Sequence, residues 1–238
     1  MEEFKKMKIF VIGSSGYIGS ELVKRLSGGY EIVKYDLVNG QDILDYQNLK
    51  KMMNGCDIVV HLAAIRGPDE SKTFLDYFRV NCQGTLNVVQ AAVENNVRRI
   101  VYASSTGYYG LERGVPFVKP IKESNPVITQ HVKVEDLKCR DCDIAYSTSK
   151  VIAEQVLANY GLRKKIEVII LRLGPIGGKP GERWSLEGIS LKIDNALQAI
   201  EKAIVTDKKL WYEAFTITDE SVNVDLSKAK NILGYNPV

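Results

Sequence analysis

The stretch Lys8–Gly19, KIFVIGSSGYIG, decides the fold of this chain. It begins with a short, mostly apolar run that ends in glycine, which is typical of a buried parallel strand. Glycines follow at a GxxGxxG spacing, at Gly13, Gly16 and Gly19, and apolar residues then recur at helical intervals as far as Leu26. Strand, glycine loop and helix in this order predict a dinucleotide-binding turn, because glycine permits positive φ and a close approach of the backbone to a pyrophosphate.

A second strand-like run at 31–36 ends in an acid, Asp36. This acid follows Gly19 at about the spacing of a carboxylate that binds the ribose of a dinucleotide. A carboxylate there accepts hydrogen bonds from a ribose 2′-hydroxyl and repels a 2′-phosphate. The sequence therefore predicts that the chain binds NAD in preference to NADP.

Strand-like and helix-like runs alternate along the chain, which predicts an α/β fold with a doubly wound parallel sheet, a Rossmann fold. The predicted strands cover 8–12, 31–36, 57–62, 98–103 and 166–172, and the predicted helices cover 17–27, 46–54, 70–95 and 146–161. Residues 1–173 are expected to form the NAD-binding domain, with its ligand at the carboxyl ends of the strands. The polar segment 111–143 is expected to wrap over the site.

Residues 174–238 are expected to form a small substrate-binding portion packed on that domain. Glycines and prolines between 175 and 181 predict a loop at its start. Apolar spacing then predicts a helix at 190–206, a strand at 209–217 and a short final helix at 225–233.

Tyr146 and Lys150 stand four residues apart in the stretch AYSTSKVIAEQ. If this stretch is a helix, the phenol and the ammonium lie one turn apart on the same face. A nearby cation favours the phenolate, so we expect the pKa of Tyr146 to be lowered from about 10 toward neutrality. Such a tyrosine can act as an acid or base toward a sugar hydroxyl.

The composition is that of a soluble globular protein, with 45% hydrophobic and 26% charged residues and a net charge of +3. No basic tract stands out, so nucleic-acid binding is not expected. No apolar run approaches the length of a membrane span, so no membrane partner is expected. The first residues lead into a strand without a signal-peptide pattern, which predicts a cytoplasmic protein.

Two of the four cysteines, Cys139 and Cys142, form a CxxC pair just before Tyr146. A structural zinc site usually takes four ligands, and only His131 lies near this pair, so no metal site is predicted. Loop cysteines without a special role are the favoured interpretation. The sequence leaves open whether they bind a metal or form a disulfide.

The chain resembles the extended short-chain dehydrogenases/reductases, and within them the NAD-dependent epimerase/dehydratase family. The resemblance extends from Lys8 to about Pro237 and rests on seven blocks in family order. These blocks are GSSGYIG at 13–19, HLAA at 61–64, NCQGTLNVVQAA at 81–92, YASSTGYYG at 102–110, YSTSK at 146–150, LRLGPIGG at 171–178 and the closing LGYNP.

In this family a serine or threonine after the fourth strand completes a catalytic triad with the tyrosine and the lysine. The resemblance places Ser105 in that position, with Thr106 as the neighbouring candidate for it, because the family is not uniform here, and Thr106 is also a candidate substrate contact. Ser105 would bridge the substrate oxygen and the Tyr146 phenol, and Lys150 would also hold the nicotinamide ribose.

The resemblance also implies contacts with the cofactor NAD along the first three strands and their loops. The implied residues are Gly13, Ser15, Gly16, Tyr17, Ile18, Gly19, Asp36, Asp42, Ile43, Leu62, Ala63, Ala64 and Lys150.

The portion after 174 is smaller than the substrate domain of typical nucleotide-sugar enzymes of the family. In this respect the chain is similar to the uronate-type sugar dehydrogenases. The comparison implies substrate contacts for Arg183, near the position of a carboxylate-binding arginine, and for Arg66 in the loop after the third strand, since a guanidinium binds carboxylate or phosphate in a bidentate way. Thr106 and Gly107 supply no acid, which makes dehydration the least expected reaction.

The sequence therefore predicts an NAD-dependent sugar-modifying enzyme. Epimerisation of a nucleotide sugar through a transient keto sugar is the first interpretation, and NAD-dependent dehydrogenation of a free sugar or uronate is the alternative. A non-catalytic NAD-binding regulator is the third. The resemblance also implies a homodimer formed by the helices at 70–95 and 146–161.

Overall fold

Six parallel strands form the central sheet of this protein, whose computed structural model describes residues 6–112, 114–177, 182 and 184–238. The strands of the described chain are β1 (Lys8–Ile12), β2 (Glu31–Tyr35), β3 (Ile58–His61), β4 (Arg99–Ser105), β5 (Glu167–Leu173), β6 (Ser185–Leu186), β7 (Ile189–Ser190) and β8 (Tyr212–Ile217). The sheet has the order β2-β1-β3-β4-β5-β8, and β6 pairs with β7 in a separate hairpin. The chain reverses direction across the sheet at β1, and a doubly wound sheet binds its ligand beside this point.

Helices cover both faces of the sheet. They are α1 (Tyr17–Leu26), α2 (Tyr46–Met52), α3 (Phe74–Tyr77), α4 (Gly84–Glu94), α5 (Ile128–His131), α6 (Asp141–Leu162) and α7 (Ile193–Val205). A π-helical turn at Phe78–Gln83 joins α3 to α4, and a second one lies at Ala229–Leu233. Among the described helices, none is both long and apolar enough to cross a membrane.

Strand β1 is buried on both sides, and its side chains alternate between two hydrophobic cores. Ile9 and Val11 enter the core that is covered by α1 and α7. Phe10 and Ile12 enter the other core, which is covered by α2, α4 and α6. A short, continuous apolar strand between two helical layers is what the sequence predicted, and the α/β fold class is confirmed.

Two predicted helices have different boundaries in the structure. The helix predicted at 70–95 begins at Phe74, because the Thr73 hydroxyl and the Asp76 carboxylate form a capping box there. The helix predicted at 146–161 begins earlier, at Asp141, where the Asp143 carboxylate accepts a hydrogen bond from the Arg140 backbone N–H. The hairpin of β6 and β7 was not predicted, because each of its strands has only two residues.

The portion after residue 174 shares the core of the preceding chain. Strand β8 pairs in parallel with β5, with Phe215 beside Leu171. Helix α7 buries Ile200 and Ile204 in the core that also contains residues of α1. The division into an NAD-binding domain and a substrate-binding portion stays a prediction.

Arg99 is fully buried at the start of β4 and joins three elements. Its guanidinium bonds the Glu167 carboxylate of β5, with Nη2 and Oε2 separated by 2.6 Å. It also donates to the carbonyls of Ala203 and Ile204 in the last turn of α7 and of Thr206, which follows the helix. A cation that satisfies the free carbonyls at a helix C-terminus is favourable, so Arg99 ties α7 to the sheet.

Replacing Arg99 by methionine is expected to lower the free energy of unfolding by about 3–5 kcal/mol, because Glu167 would remain buried without a partner. Urea denaturation measures this change. The adjacent and exposed Arg98 is the matched control, and Arg98→Met should change the free energy by less than about 0.5 kcal/mol. Equal losses in the two variants would contradict the assigned role of Arg99.

Candidate active site

The glycine loop between β1 and α1 leaves no room for side chains on its inner face. Gly13 has a φ of +81°, and a Cβ built on it would lie 2.7 Å from the backbone N of Ala63. A Cβ on Gly19 would overlap the carbonyl oxygen of Gly13. Gly16 is the N-cap of α1, so the free N–H groups of this helix point into the loop. The loop and the helix end together form a cradle for a phosphate group.

The carboxylate of Asp36 lies against the same loop. One oxygen accepts a hydrogen bond from the Ser15 backbone N–H at 2.7 Å, and the other accepts from Val38 N–H at 3.1 Å. The structure therefore brings Asp36 from the end of β2 to the glycine loop, as its spacing predicted. Tyr17 and Ile18 open α1 and are half-buried beside this loop.

Asp36→Asn is expected to reduce the preference for NAD over NADP by about 10-fold, since the neutral amide no longer repels a 2′-phosphate and its one oxygen can still accept one of the two hydrogen bonds from the loop. Isothermal titration calorimetry with the two cofactors measures the ratio. Asp45 caps α2 by accepting from Asn48 N–H and provides the control. Asp45→Asn should leave the ratio unchanged, and an unchanged ratio in Asp36→Asn would contradict the role of the charge.

The other predicted cofactor residues lie at the carboxyl ends of β2 and β3. Asp42 is half-buried, and its carboxylate accepts a hydrogen bond from Leu44 N–H. Ile43 is buried in the second core, where its side chain fills the space beside Gly84. The half-buried residues Leu62, Ala63 and Ala64 follow β3. Their backbone packs against the glycine loop, since the backbone N of Ala63 lies 2.7 Å from the position that a Cβ of Gly13 would take.

Ser105 and Tyr146 meet at the carboxyl end of β4. Ser105 is the last residue of the strand, and its Oγ accepts a hydrogen bond from Gly107 N–H at 3.0 Å. The Ser105 hydroxyl and the Gly67 backbone both hydrogen-bond the Tyr146 phenol, which is buried on α6. Thr106 is also buried, but its hydroxyl donates to the Leu173 carbonyl. Ser105 is therefore the hydroxyl that the structure brings to the phenol.

The pKa of Tyr146 differs from the expectation based on its spacing to Lys150. Burial raises this pKa to about 12, and the hydrogen bond from Ser105 only partly opposes the rise. The Lys150 ammonium donates to the Ala103 carbonyl at 2.9 Å and lies 5.9 Å from the centre of the Tyr146 ring. The cation lies on the same helix face as predicted, but it points past the phenol oxygen toward β4.

Lys150 is almost completely buried between α6 and β4. Burial lowers its pKa to about 8, while the charge of Glu154, one turn further along α6, raises it. Its Nζ also lies 5.0 Å from the centre of the Tyr102 ring, which adds a cation–π contact. The site therefore holds an ammonium whose proton is lost more easily than that of an ordinary lysine.

Glu154, whose charge acts on Lys150, forms a buried ion pair with Arg172. Arg172 of β5 bonds both oxygens of Glu154, with Nη2 and Oε2 2.7 Å apart. The Arg172 guanidinium also stacks 3.5 Å from the centre of the Tyr108 ring and donates to the Tyr109 hydroxyl. Paired and hydrogen-bonded in this way, the two charges fix β5 and α6 relative to each other beneath the site.

Asn81 connects the loop after β3 to α6. Its side-chain amide accepts from Ile65 N–H at 2.8 Å and donates to the Ile65 carbonyl and to the Ser149 hydroxyl. Asn81 lies in the π-helical turn, and such turns are frequent at functional sites. The amide thus holds the loop that carries Gly67 close to Tyr146.

Of the two arginines that were predicted to contact substrate, the structure describes only one. Arg66 is exposed in the loop after β3, next to Gly67, and makes no hydrogen bond or ion pair with the described part of the chain. Arg183 lies outside the described residues. Of the two, the structure therefore describes only Arg66, which directly precedes the Gly67 backbone that contacts the Tyr146 phenol.

Sequence analysis missed one acid, Glu112, in the segment that was expected to wrap over the site. Its Oε1 lies 2.7 Å from the position of a Cβ on Gly107, next to Ser147 and Ser105. Burial and the nearby charge of Asp143 raise the pKa of Glu112 to about 8. No local pattern marks Glu112, because four residues, which finish a 3₁₀ turn and then bend, separate it from Gly107.

Cys139 and Cys142 are free thiols at the N-terminus of α6, and Cys142 is buried. Cys142 lines a cavity of 570 Å³ one turn before Tyr146. The cavity is bounded by Glu70, Lys72, Thr73, Phe74, Arg140, Asp141, Cys142 and Ala145. In the ranges that the structure describes, no group of three or more His, Cys, Asp or Glu side chains could hold a metal ion.

The amino-acid sequence of this chain is similar to those of known proteins. A family model described as the NAD dependent epimerase/dehydratase family matches residues 9–219. The UDP-glucose 4-epimerase of Rhizobium meliloti (strain 1021) is 31% identical over 215 residues, which are 79% of this chain and 60% of that enzyme. The chain spans about half the length of the curated relatives it matches.

Solved structures share the fold over nearly the whole chain. The UDP-glucuronic acid 4-epimerase from Bacillus cereus, solved in complex with NAD, is 21% identical with a TM-score of 0.77, and the match covers 98% of this chain and 94% of that one. A mutated uronate dehydrogenase is 20% identical with a TM-score of 0.74, and the match covers 98% of this chain and 82% of that one. Because these sequence identities are only 20–21%, the structural similarity shows that the fold is shared and nothing further.

Proposed function

This chain belongs to the NAD-dependent epimerase/dehydratase family, and we propose that it epimerises a nucleotide sugar by transient oxidation of one sugar hydroxyl to a ketone. The observation that carries the proposal is the contact between Ser105 and the Tyr146 phenol at the carboxyl end of β4, with the buried Lys150 bonded to the Ala103 carbonyl of the same strand. Acid–base groups at this edge of a doubly wound sheet face the crevice where ligands bind.

The residues present fit NAD. The cradle at Gly13 and Gly19 admits no Cβ, and the Asp36 carboxylate lies beside it to receive ribose hydroxyls. Gly13, Ser15, Gly16, Asp36 and Lys150 would hold the cofactor. NAD, when bound, supplies the acceptor for the hydride that leaves the sugar carbon.

Three side chains of the chain itself perform the proton chemistry in this proposal. Tyr146, as phenolate, removes the proton of the sugar hydroxyl. Ser105 donates a hydrogen bond to the same oxygen as it becomes a carbonyl. Lys150 supplies the positive charge of the site and orients the ribose. For epimerisation, the ketone turns over in the site and is reduced on its other face, and Tyr146 returns the proton.

Dehydrogenation of a free sugar or uronate is the second candidate, and Arg66 favours it. The exposed guanidinium of Arg66 stands beside Gly67, whose backbone bonds the Tyr146 phenol. A carboxylate bound by Arg66 would lie close to the reacting hydroxyl, as a uronate requires. Arg66 and Arg183 are therefore proposed substrate contacts in either reaction, since a phosphate suits the same groups.

We also propose a homodimer. The structure leaves Phe74, Leu75 and Phe78 exposed on α3 and the π-helical turn, next to α6. Large apolar side chains in a group mark an interaction surface, and a second copy of the same helices would cover them. Sedimentation equilibrium of the purified chain checks this, and the mass of a monomer would contradict it.

The test of function is product identification. The purified chain is incubated with NAD and with free uronates and aldoses, then with UDP-, GDP- and dTDP-sugars, and the sugars are recovered for NMR. A nucleotide sugar with inverted configuration and no net NADH is the expected result. Accumulation of NADH in step with an oxidised free sugar would replace the epimerase proposal with the dehydrogenase.

A further inference from the structure

Ser105, whose hydroxyl contacts the Tyr146 phenol, lies between two parts of the chain that are held in the interior. Before it, Ser104 is buried, and its hydroxyl donates a hydrogen bond to Glu154 Oε1 at 2.5 Å. After it, the 3₁₀ turn Thr106–Tyr109 begins at once, and every residue of this turn is buried. The position of the Ser105 backbone is therefore set by what its two neighbours bind.

Arg172 of β5 holds the far end of this turn. Its Nη1 donates to the Tyr109 hydroxyl at 2.7 Å, and that hydroxyl also lies 2.9 Å from Thr216 Oγ1 of β8. The guanidinium carbon lies 3.5 Å from the centre of the Tyr108 ring. An arginine suits this place because its planar group can stack on one ring while its N–H groups bond other partners. Arg172 thus ties the turn that follows Ser105 to the sheet.

Glu154 joins these two attachments. Its carboxylate accepts the hydrogen bond of Ser104 and also those of Arg172 Nε at 3.0 Å and Nη2 at 2.7 Å. Ser104 and Arg172 are register partners on β4 and β5, so both side chains lie on the face of the sheet that α6 covers. Glu154 is fully buried, and Arg172 is almost so. Hydrogen bonds to a charged group are strong where water is excluded, so the pair links both flanks of Ser105 to α6.

The same helix carries the phenol that Ser105 contacts. Tyr146, Lys150 and Glu154 are spaced four residues apart on α6 and therefore share one face of the helix. Their side chains bond three successive residues at the end of β4. The partners are, in order, the Ser105 hydroxyl, the Ala103 carbonyl and the Ser104 hydroxyl. Glu154 thus fixes the strand end at the residue next to Ser105, on the helix face that presents Tyr146.

Glu154 also acts on the charge of the site. Burial lowers the pKa of Lys150, and the Glu154 carboxylate opposes this change. The other titratable groups around the ammonium are Tyr146 of α6, Tyr102 of β4, His61 of β3 and Cys82 of the π-helical turn. Burial keeps all four uncharged at neutral pH, because it lowers the pKa of the histidine and raises the pKa of the two phenols and of the thiol. In the described part of the chain, Glu154 is therefore the anion that faces Lys150.

We propose that the Glu154–Arg172 pair positions Ser105 against the Tyr146 phenol. The two residues act through Ser104 and through the turn at Thr106–Tyr109, and they do not touch the sugar. Glu154 in addition stabilises the charged form of Lys150. The inference rests on the proposed function, because that function assigns the proton chemistry to these groups. A displacement of about 1 Å at a reacting group can slow a reaction by about 10²-fold, which sets the size of the expected effect.

The buried pair of Arg99 and Glu167 is the matched control. Glu167 is a buried carboxylate bonded to an arginine, as Glu154 is, but it lies at the amino end of β5, away from the site. Glu154→Gln and Glu167→Gln should both unfold at a lower urea concentration than the wild type. Only Glu154→Gln should lose hydride transfer, by about 10²-fold in single turnovers with the sugar that the product screen identifies. An equal loss of rate in both variants would overturn the positioning role.

The pH dependence of the same reaction tests the effect on Lys150. Glu154 raises the pKa of Lys150, so in Glu154→Gln the ammonium should lose its proton at a lower pH than in the wild type. The decrease of the rate at high pH should move to lower pH accordingly, and Glu167→Gln should keep the wild-type profile. A high-pH decrease that stays in place in Glu154→Gln would overturn the action of Glu154 on Lys150.

Ser104→Ala tests the positioning role with the ion pair left intact, and it carries the test if Glu154→Gln does not fold. The rate should fall by about 10-fold, the equivalent of one hydrogen bond, while NAD binds as before. The control is Ser27→Ala, since the Ser27 hydroxyl bonds the Lys24 carbonyl at the end of α1. A wild-type rate in Ser104→Ala would overturn the inference.

A measurement without sugar separates the inference from the proposed function. Protein labelled with fluorotyrosine gives a fluorine NMR resonance for Tyr146, which is identified by its loss in Tyr146→Phe. Because Ser105 bonds the phenol, this resonance should shift in Ser104→Ala and in Glu154→Gln and should stay in place in Glu167→Gln. An unmoved resonance in Ser104→Ala would overturn the inference and leave the proposed function intact. If the wild type transfers no hydride from any sugar, the proposed function fails, and the resonance alone then supports or overturns the positioning of Ser105.

Discussion

Replacing Tyr146 by phenylalanine is expected to slow hydride transfer by on the order of 10³-fold while NAD binds with nearly unchanged affinity. The substitution removes only the phenol hydroxyl, which is the group that Ser105 and the Gly67 backbone contact. Its loss deprives the sugar hydroxyl of its base, whereas the glycine loop and Asp36 remain intact. Single-turnover NADH absorbance measures the rate, and calorimetry measures NAD binding.

Tyr160 provides the matched control for this prediction. It lies on the same helix, α6, four turns beyond Tyr146, in the part that packs on the second core. Tyr160→Phe should therefore leave both the rate and NAD binding unchanged. Retention of more than a tenth of the rate in Tyr146→Phe would show that another group takes the proton of the hydroxyl.

Replacing Gly19 by alanine is expected to weaken NAD binding by at least about 100-fold, which corresponds to about 2.7 kcal/mol. The added methyl group would overlap the backbone carbonyl of Gly13 and would also approach Ser14 Cα to 2.9 Å. Backbone atoms cannot turn aside as a flexible side chain can, so the glycine loop and the start of α1 must separate. The cradle for the phosphates would then lose its shape.

Gly28 is the control for the backbone effect of the substitution, since a Cβ there meets nothing within 4 Å. Calorimetric titration with NAD and urea denaturation are carried out on both variants. Gly28→Ala should bind NAD as the wild type does and should unfold at a similar urea concentration. Wild-type NAD affinity in Gly19→Ala would contradict the assignment of this loop to the cofactor.

Local patterns were sufficient to predict that the glycine loop and Asp36 lie together in the fold. The order of strand, glycines, helix and Asp36 depends on neighbours in the chain, and the structure brings Ser15 and Asp36 together as that order implied. The family was predictable for the same reason, since each of its seven blocks is a short continuous stretch, and the match over residues 9–219 confirms it.

Features that depend on tertiary packing could not be predicted in this way. The Glu112 carboxylate reaches the space beside Gly107 through a bend that no local pattern marks. The direction of Lys150 is set by the Ala103 carbonyl of β4, and burial changes the pKa of Tyr146 in the opposite sense to the helical spacing. Burial belongs to the assembled fold, and a two-residue pattern on one helix does not contain it.

The central claim is that this chain oxidises a sugar hydroxyl with Tyr146 as the base, and a single-turnover reduction tests it most directly. Enzyme in excess over NAD is mixed with each sugar of the screen, and the absorbance of reduced nicotinamide is recorded for the wild type and for Tyr146→Phe. The account predicts a rise with at least one sugar in the wild type, transient for an epimerase and lasting for a dehydrogenase, and almost none in the variant. Bound NAD that stays oxidised with every sugar would contradict it and would identify the chain as an NAD-binding regulator.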